Sequence, residues 1–238
     1  MIDAAASCEK PFLTAEWRQL AMLNYAVDAA VLAPYVPRGV EIDFWQGRTY
    51  VSLVGFRFLN TRVLGVAIPF HHNFDEVNLR FYVRREDRRG VVFVREIVPR
   101  RAIAWLARTA YGENYVRLPM RHQIEPARVE YAWRFGGNWN RITASELKPA
   151  VPLAPGSHEE FIAEHYWGYA RRSAHSTIEY RVEHPRWNVR VAGASAFEGS
   201  VAGLYPREFR FLDSQAPDSA FVADGSDVSV WRGRELDP

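Results

Sequence analysis

A short segment of alternating polar and apolar residues contains the groups best suited to chemistry. Its polar face comprises Glu76, Asn78, Arg80 and Tyr82, at the spacing that places side chains on one face of a β-strand. If this face lines a cavity, Arg80 can hold a carboxylate through paired hydrogen bonds and Glu76 can act as a base. If it faces solvent, the same side chains form cross-strand ion pairs. The spacing alone leaves both alternatives open.

A second polar cluster follows a predicted strand at a turn into a helix. It comprises Arg95, Glu96, Arg100 and Arg101, and such turns bind anions through backbone amides and guanidinium groups. Arg95 and Arg100 are therefore candidate ligand-binding residues. The alternative is a structural Arg–Glu pair at the start of the helix. If Arg18 also reaches this cluster, the pocket is cationic and favours a carboxylate or phosphate.

Other chemistries have little support in the sequence. His71 and His72 stand near Asp75 and Glu76, but adjacent strand residues face opposite sides, so no metal site is predicted. Ser195 lacks the second glycine of a nucleophile elbow. Dinucleotide and P-loop glycine patterns are absent, so no cofactor is expected.

Two further groups of residues have structural interpretations. His158 and His165 lie seven residues apart on a predicted helix and are interpreted as surface or partner-contact residues. The tryptophans are scattered along the chain, which is typical of core packing rather than of ligand stacking.

The composition is that of a globular protein. The chain has 238 residues, 48% of them hydrophobic and 24% charged, which favours one domain over residues 1–238 with a loose tail at 1–12. The lone Cys8 excludes an intramolecular disulfide and a cysteine-ligated zinc. No signal peptide and no apolar stretch long enough to span a membrane are recognised, so a cytoplasmic protein without membrane contact is expected.

The basic residues are almost all arginine. Of 30 basic residues only Lys10 and Lys148 are lysines, and the 28 acidic residues leave a formal net charge of +2. With this balance and no reader motif, nucleic-acid binding is not expected.

Periodicity and turn residues predict mainly strands. Helices are predicted after an N-cap at Asp28, from Pro99 to about Ala110, and from about His158 to Tyr169 after a capping box. Strands are predicted at 16–27, 50–59, 76–83, 91–98, 129–135, 176–183, 187–194, 207–212 and 226–232. Many strands without βαβ alternation indicate an α+β, mainly antiparallel fold.

Several motifs, in order along nearly the whole chain, resemble the YqjF-like uncharacterised family. They are Trp17-Arg18, Val27-Asp28, Leu32, Val36-Pro37, Asp43, the segment from Phe74 to Val83, Gly90-Val91, Phe93, Ala107-Arg108, Leu118-Pro119, Glu160-Phe161-Ile162, Glu164, Tyr166, His184-Pro185 and Trp187.

That family is similar to a branch of the acetoacetate decarboxylase-like superfamily, which implies a cone-shaped, largely antiparallel β-barrel with peripheral helices. Classical members use a lysine imine, and the similar stretch here has Arg100 and Arg101 in place of the two lysines. Arginine stays protonated and cannot form the imine. Two superfamily site positions do match, at Arg18 and Glu76.

The resulting hypothesis is a protein that binds a small organic acid or carbonyl compound in an arginine-lined cavity. Arg18, Arg80 and Arg100 would anchor the ligand, assisted by Asn78, Tyr82 and Arg95, and Glu76 would transfer protons. An enzyme of this kind would perform acid–base chemistry on an oxo-acid, without an imine. The alternative is a non-catalytic binding or interaction protein on the same fold. The resemblance also makes a homo-oligomer an expectation.

Overall fold

The computed structural model describes residues 10–67, 72–99 and 114–236. Sixteen strands within these residues join in one sheet. They are β1 Leu13–Val27, β2 Glu41–Ile42, β3 Thr49–Val63, β4 Val66–Ala67, β5 Phe74–Arg85, β6 Arg88–Val98, β7 Tyr115–Arg117, β8 Met120–Glu125, β9 Arg128–Phe135, β10 Asn138–Leu147, β11 Val151–Pro152, β12 Trp167–Arg171, β13 Thr177–Glu183, β14 Asn188–Glu198, β15 Ser219–Val230 and β16 Arg234–Glu235.

The sheet is mostly antiparallel, which confirms the predicted fold class. Its main path runs β16-β13-β12-β6-β5-β3-β1-β15-β14-β10-β9-β8. Both parallel pairings among the described strands involve β6, with β12 and with β7. An additional antiparallel pairing joins β13 to β15 through Val182 opposite Val230 and Glu183 opposite Ser229.

Strand β5 pairs with β3 and β6 along its two edges, and other parts of the chain bury both of its faces. Val77, Leu79 and Phe81 are fully buried in the larger apolar core. The opposite face carries Glu76 and Asn78, each only 2% exposed. The solvent-facing alternative for this strand face is therefore excluded.

Two helices flank the sheet among the described residues. Helix α1, Ala29–Leu32, begins at the predicted N-cap, where the Ala30 amide donates to Asp28 Oδ1 at 2.8 Å. Helix α2, His158–Ala163, begins at Ser157, whose hydroxyl accepts from the Glu160 amide.

The prediction that the second helix continues to Tyr169 was wrong. Helix α2 ends at Ala163 because the backbone of Glu164 leaves the helical region, and residues 167–171 instead form β12 between β6 and β13. The ladder hydrogen bonds of β12 replace those that a longer helix would have made.

The predicted strand at 207–212 was also wrong. Residues Arg207–Asp213 form a 3₁₀ helix after Pro206. Phe209 and Leu212 are both buried there, and their three-residue spacing matches the 3₁₀ repeat rather than a strand.

Two of the sequence predictions concern segments that the structure describes only in part or not at all. The predicted helix from Pro99 to about Ala110 and the first nine residues of the expected tail lie outside the described residues. Phe12, the last residue of that expected tail, is only 5% exposed and packs against Tyr180 and Val182. None of the described helices is long and apolar enough to cross a membrane.

Candidate functional site

The polar face of β5 lines a cavity with mainly aromatic walls. Its volume, counted as the space open to the centre of a water molecule, is about 100 Å³, whereas one water needs about 10–15 Å³. The cavity can therefore hold a small organic molecule. Nine aromatic side chains line it, namely Phe12, Trp17, Phe56, Phe58, Phe74, Phe93, Tyr115, Trp167 and Tyr180.

Glu76 is the central acidic group of this cavity. Its Oε1 accepts a hydrogen bond from Asn78 Nδ2 at 3.0 Å, and its Oε2 accepts one from the Tyr115 hydroxyl at 3.1 Å. Burial raises the pKa of Glu76 to about 7, although both hydrogen bonds and the Arg80 charge act in the opposite direction. Near neutral pH, Glu76 is thus available in both its acid and its base form, as general acid–base catalysis requires.

A second buried carboxylate belongs to the same end of the cavity. Glu96 on β6 lies directly opposite Asn78 in the β5–β6 ladder, and it is 2% exposed. Burial, followed by the charges of Glu76 and Glu96, raises the pKa of Tyr115 well above its ordinary value. Tyr115 therefore stays protonated and acts as a hydrogen-bond donor between these carboxylates.

Arg80 supplies positive charge to the other end of the polar face. Along the strand it is about 13 Å from Glu76 at the Cα positions. Its Nη2 donates to the Ile162 carbonyl at 3.1 Å, while its buried Nε has no hydrogen-bond partner among the described residues. A partly unsatisfied guanidinium in a cavity is suited to binding a carboxylate.

His165 lies beside Arg80, and the sequence did not identify it as a cavity residue. It follows α2, lines the cavity and is 7% exposed, so its interpretation as a surface or partner-contact residue was wrong. Its ring lies 4.7 Å from that of Tyr82, against which the Arg80 guanidinium also packs at 5.7 Å. Burial lowers the pKa of His165 well below its ordinary value, and the charges of Arg89 and Arg80 add to this effect.

Tyr82 supports the cavity without lining it. Its hydroxyl lies 2.6 Å from Ser52 Oγ, which donates to Asn24 Oδ1, also at 2.6 Å. This buried network holds the Tyr82 ring in place behind His165. Tyr82 therefore acts on the site through its neighbours, rather than as the ligand contact that the polar face suggested.

Two of the arginines expected at the site lie elsewhere. Arg18 Nη2 binds Glu16 at 2.8 Å on β1, and Arg18 does not line the cavity. Arg95 pairs with Leu79 across the β5–β6 ladder, and its Nη1 donates to Asn114 Oδ1 at 2.9 Å. Arg95 therefore faces away from the cavity side that Glu96 occupies. Arg100 lies outside the described residues.

A β-bulge explains why Glu96 and not Arg95 reaches the cavity. Arg80 pairs with Phe93, whereas the preceding Leu79 pairs with Arg95, so Val94 is an extra residue in β6. The extra residue reverses the alternation of faces beyond it. Phe93 and Glu96 consequently line the same cavity although they are three residues apart.

Metal ligation has no support in the described part of the chain. No group of three or more His, Cys, Asp and Glu side chains there is arranged to hold a metal ion. Of the two adjacent histidines that the sequence analysis considered and rejected as metal ligands, His71 lies outside the described residues. Asp75 makes a hydrogen bond of 2.9 Å with His122 instead.

Comparison with known sequences assigns the family. The sequence model of the DUF2071 family, described as "Uncharacterized conserved protein (COG2071)", matches residues 14–227. The chain belongs to this family. It is also 27% identical to the uncharacterized protein YqjF of Bacillus subtilis (strain 168) over 195 residues, which is 79% of each chain. The resemblance to the YqjF-like family is confirmed.

Solved structures show the same fold. An acetoacetate decarboxylase from Legionella pneumophila superposes with a TM-score of 0.74 and 12% identity, covering 96% of this chain and 88% of that chain. The enduracididine biosynthesis enzyme MppR, in its complex with pyruvate, gives a TM-score of 0.65 and 12% identity over 98% of this chain and 93% of that chain. At these identities the likeness shows the fold alone.

Proposed function

We propose that this protein binds a small organic acid carrying a carbonyl group and exchanges a proton on the carbon beside that carbonyl. Arg80 holds the carboxylate of the ligand, and Glu76 accepts and returns the proton. The observation that carries the proposal is that a carboxyl with a pKa near 7 and a partly unsatisfied guanidinium share one cavity-lining strand face.

The two groups can hold a small ligand between their side chains. Glu76 and Arg80 stand about 13 Å apart at their Cα positions, and both side chains shorten the gap between their charged ends. The aromatic walls suit the carbon atoms of the ligand. MppR, a structural neighbour, has been crystallised with pyruvate, which carries a carboxylate next to a carbonyl group.

The proposed step balances without a cofactor. The ionised Glu76 accepts a proton from the carbon next to the carbonyl, and the C–H electron pair moves into the carbonyl to form an enolate. The neutral Glu76 exchanges its proton with water, and the enolate then recovers a proton, or in deuterium oxide a deuteron, from this carboxyl. Tyr115 and Asn78 keep the carboxyl oriented through their hydrogen bonds to its two oxygens. Imine formation is not part of this step, because the chain has only two lysines and both are exposed.

The test follows pyruvate in deuterium oxide by proton NMR. We expect the protein to catalyse loss of the pyruvate methyl signal, and Glu76→Gln to reduce the rate by about 100-fold or more. Arg80→Met should weaken pyruvate binding about 10-fold to 100-fold. Arg84→Met is the matched control: it lies on the same strand but pairs with Glu41 outside the cavity, and it should change neither quantity.

The same experiment distinguishes the proposed enzyme from a second candidate, a non-catalytic binding protein. The cavity walls are mainly aromatic, which also suits a protein that binds its ligand without converting it. Pyruvate binding that Arg80→Met weakens, together with no exchange above the buffer rate, would favour this binding protein. Absence of pyruvate binding would contradict both candidates.

We further infer that the sheet closes into the cone-shaped barrel of the acetoacetate decarboxylase-like superfamily. The supporting observation is that the path from β13 through β12, β6, β5, β3, β1 and β15 returns to β13 by the Val182–Val230 pairing. Single-domain organisation, a cytoplasmic location and homo-oligomerisation stay predictions.

A further inference from the structure

We propose that His165 is a ligand-binding residue of this cavity, and that its imidazole hydrogen-bonds the carbonyl oxygen beside the carboxylate that Arg80 holds. The inference rests on the proposed function and adds to it the group that selects a 2-oxo acid over a simple carboxylic acid.

The first supporting observation is that His165 has unused hydrogen-bonding capacity. Neither Nδ1 nor Nε2 has a hydrogen-bond partner of normal geometry among the described residues; the ring does approach the Ile162 carbonyl, to which Arg80 already donates, and His165 is only 7% exposed. A buried polar group without a partner is destabilising, because it has lost its hydrogen bonds to water. A ligand oxygen in the cavity that His165 lines would remove this cost.

The second observation is the position of His165 next to Arg80. Both side chains lie against the ring of Tyr82, and Arg80 donates to the carbonyl of Ile162, three residues before His165. A carboxylate and the carbonyl bonded to it are adjacent in a 2-oxo acid. Because Arg80 and His165 are neighbours, they can bind the carboxylate and the carbonyl of such a ligand at the same time.

The protonation state of the ring fits the same role. Burial, followed by the nearby charges of Arg89 and Arg80, holds the pKa of His165 well below its ordinary value, so the imidazole is neutral at neutral pH. A neutral imidazole has one N–H donor, which suits an uncharged carbonyl oxygen and any negative charge that develops there. The remaining carbons of the ligand then extend toward Glu76 at the other end of the polar face.

The packing around the ring explains how its orientation is maintained. Tyr82 lies against His165 on one side, and Phe161 meets it edge-on with centroids 6.1 Å apart. The Tyr82 hydroxyl is in turn fixed by Ser52 and Asn24. A rigidly held imidazole loses little freedom when it binds a ligand, so its hydrogen bond is worth more.

The test compares two acids of nearly equal size by titration calorimetry at pH 7.5. Pyruvate has the carbonyl, whereas propionate has a methylene group in its place. We expect the intact protein to bind pyruvate about 10-fold more tightly than propionate, from one good hydrogen bond. His165→Phe, which keeps a ring against Tyr82 but removes both nitrogens, should bring this ratio close to one by weakening pyruvate alone.

A matched control uses the other histidine of the same region. His158 also stacks on a tyrosine, Tyr50, at 4.5 Å, but it lies outside the cavity. His158→Phe should leave the pyruvate-to-propionate ratio unchanged. If His165→Phe fails to fold, as judged by circular dichroism, His165→Leu carries the same prediction.

The outcomes separate this inference from the function on which it rests. An unchanged ratio in His165→Phe, or an equal weakening of both acids, would overturn the role of His165 and leave the proposed oxo-acid function standing. Failure of the intact protein to bind either acid would overturn both.

Discussion

The most informative single residue is Glu76, because the fold keeps a carboxyl away from water. Burial raises its pKa from the ordinary 4.5 to about 7, so between these pH values the folded protein binds a proton that the unfolded chain has released. Stability therefore falls as pH rises through this window, by about 3 kcal/mol, and levels off above pH 7.

Glu76→Gln should remove this pH dependence. We therefore compare the free energies of unfolding of the variant and of the unmodified protein. The difference, variant minus unmodified, should rise by about 3 kcal/mol from pH 5 to pH 8, because only the unmodified protein loses stability in this range. Urea unfolding at the two pH values measures the difference, and any constant effect of the amide on neighbouring hydrogen bonds cancels. If this difference were the same at pH 5 and at pH 8, Glu76 would be ionised in the folded protein at both pH values, which would contradict the prediction.

Glu16→Gln is the control for this measurement. Hydrogen bonds from Asn60 and Arg18 lower the pKa of Glu16 below its ordinary value. The stability that this carboxylate contributes is therefore lost only below about pH 4.5. Glu16→Gln should change the free energy of unfolding by the same amount at pH 5 and at pH 8.

Residue types and spacing in the sequence predicted the strand that carries Glu76 and Arg80. They did not predict which residues pack around that strand. The alternation at 76–83 put Glu76, Asn78 and Arg80 on one face, because a strand repeats every two residues. It could not show which face is buried, since both faces of β5 are covered by segments distant in the chain. His165 was missed for the same reason: its ring packs against Tyr82, which lies far from it in the sequence.

At the scale of helices and strands, the sequence correctly predicted features that depend on interactions between neighbouring residues. The Asp28 N-cap and the Ser157 capping interaction were predicted and are present. Tertiary pairing decided the other cases. Residues 167–171 leave the expected helix to pair with β6 and β13, and the Val94 bulge exchanges Arg95 for Glu96 at the cavity.

The pairing of β12 with β13 also explains a glycine at the cavity wall. Gly168 lies opposite Tyr180, and a Cβ added at Gly168 would be 2.1 Å from Cζ of the Tyr180 ring. Both residues line the cavity. The tyrosine ring thus occupies the space that a side chain at position 168 would need.

Gly168→Ala should displace the Tyr180 ring and distort the cavity. We expect a loss of about 1–3 kcal/mol in the free energy of unfolding, because overpacking forces side chains and backbone to shift, and pyruvate binding at least 10-fold weaker. Gly193→Ala is the control outside the cavity: its closest contact would be the flexible carboxylate of Glu146 at 2.8 Å, with the Cβ and the backbone oxygen of Glu146 at 3.0 Å and 3.4 Å. Equal effects of the two substitutions would argue against a specific role for the Gly168–Tyr180 contact.

At the scale of the whole molecule, the amino-acid composition limits the chemistry that this fold can perform. The fold is that of acetoacetate decarboxylase, with a TM-score of 0.74 to the Legionella pneumophila enzyme. Yet the chain has 28 arginines and only two lysines, at positions 10 and 148. We propose that in this chain proton transfer depends on carboxyl groups and anion binding on arginine.

The composition makes a prediction that can be tested on the intact protein. Imine formation needs an amine that can lose its proton, and both Lys10 and Lys148 are exposed. Incubation with acetoacetate or pyruvate followed by borohydride should therefore leave the mass of the protein unchanged, whereas a lysine-dependent acetoacetate decarboxylase treated in parallel should gain the reduced adduct. Peptide mapping distinguishes a trace reaction at the terminal amine from a specific one. A stoichiometric adduct on either lysine would show that imine chemistry operates here without a lysine at position 100.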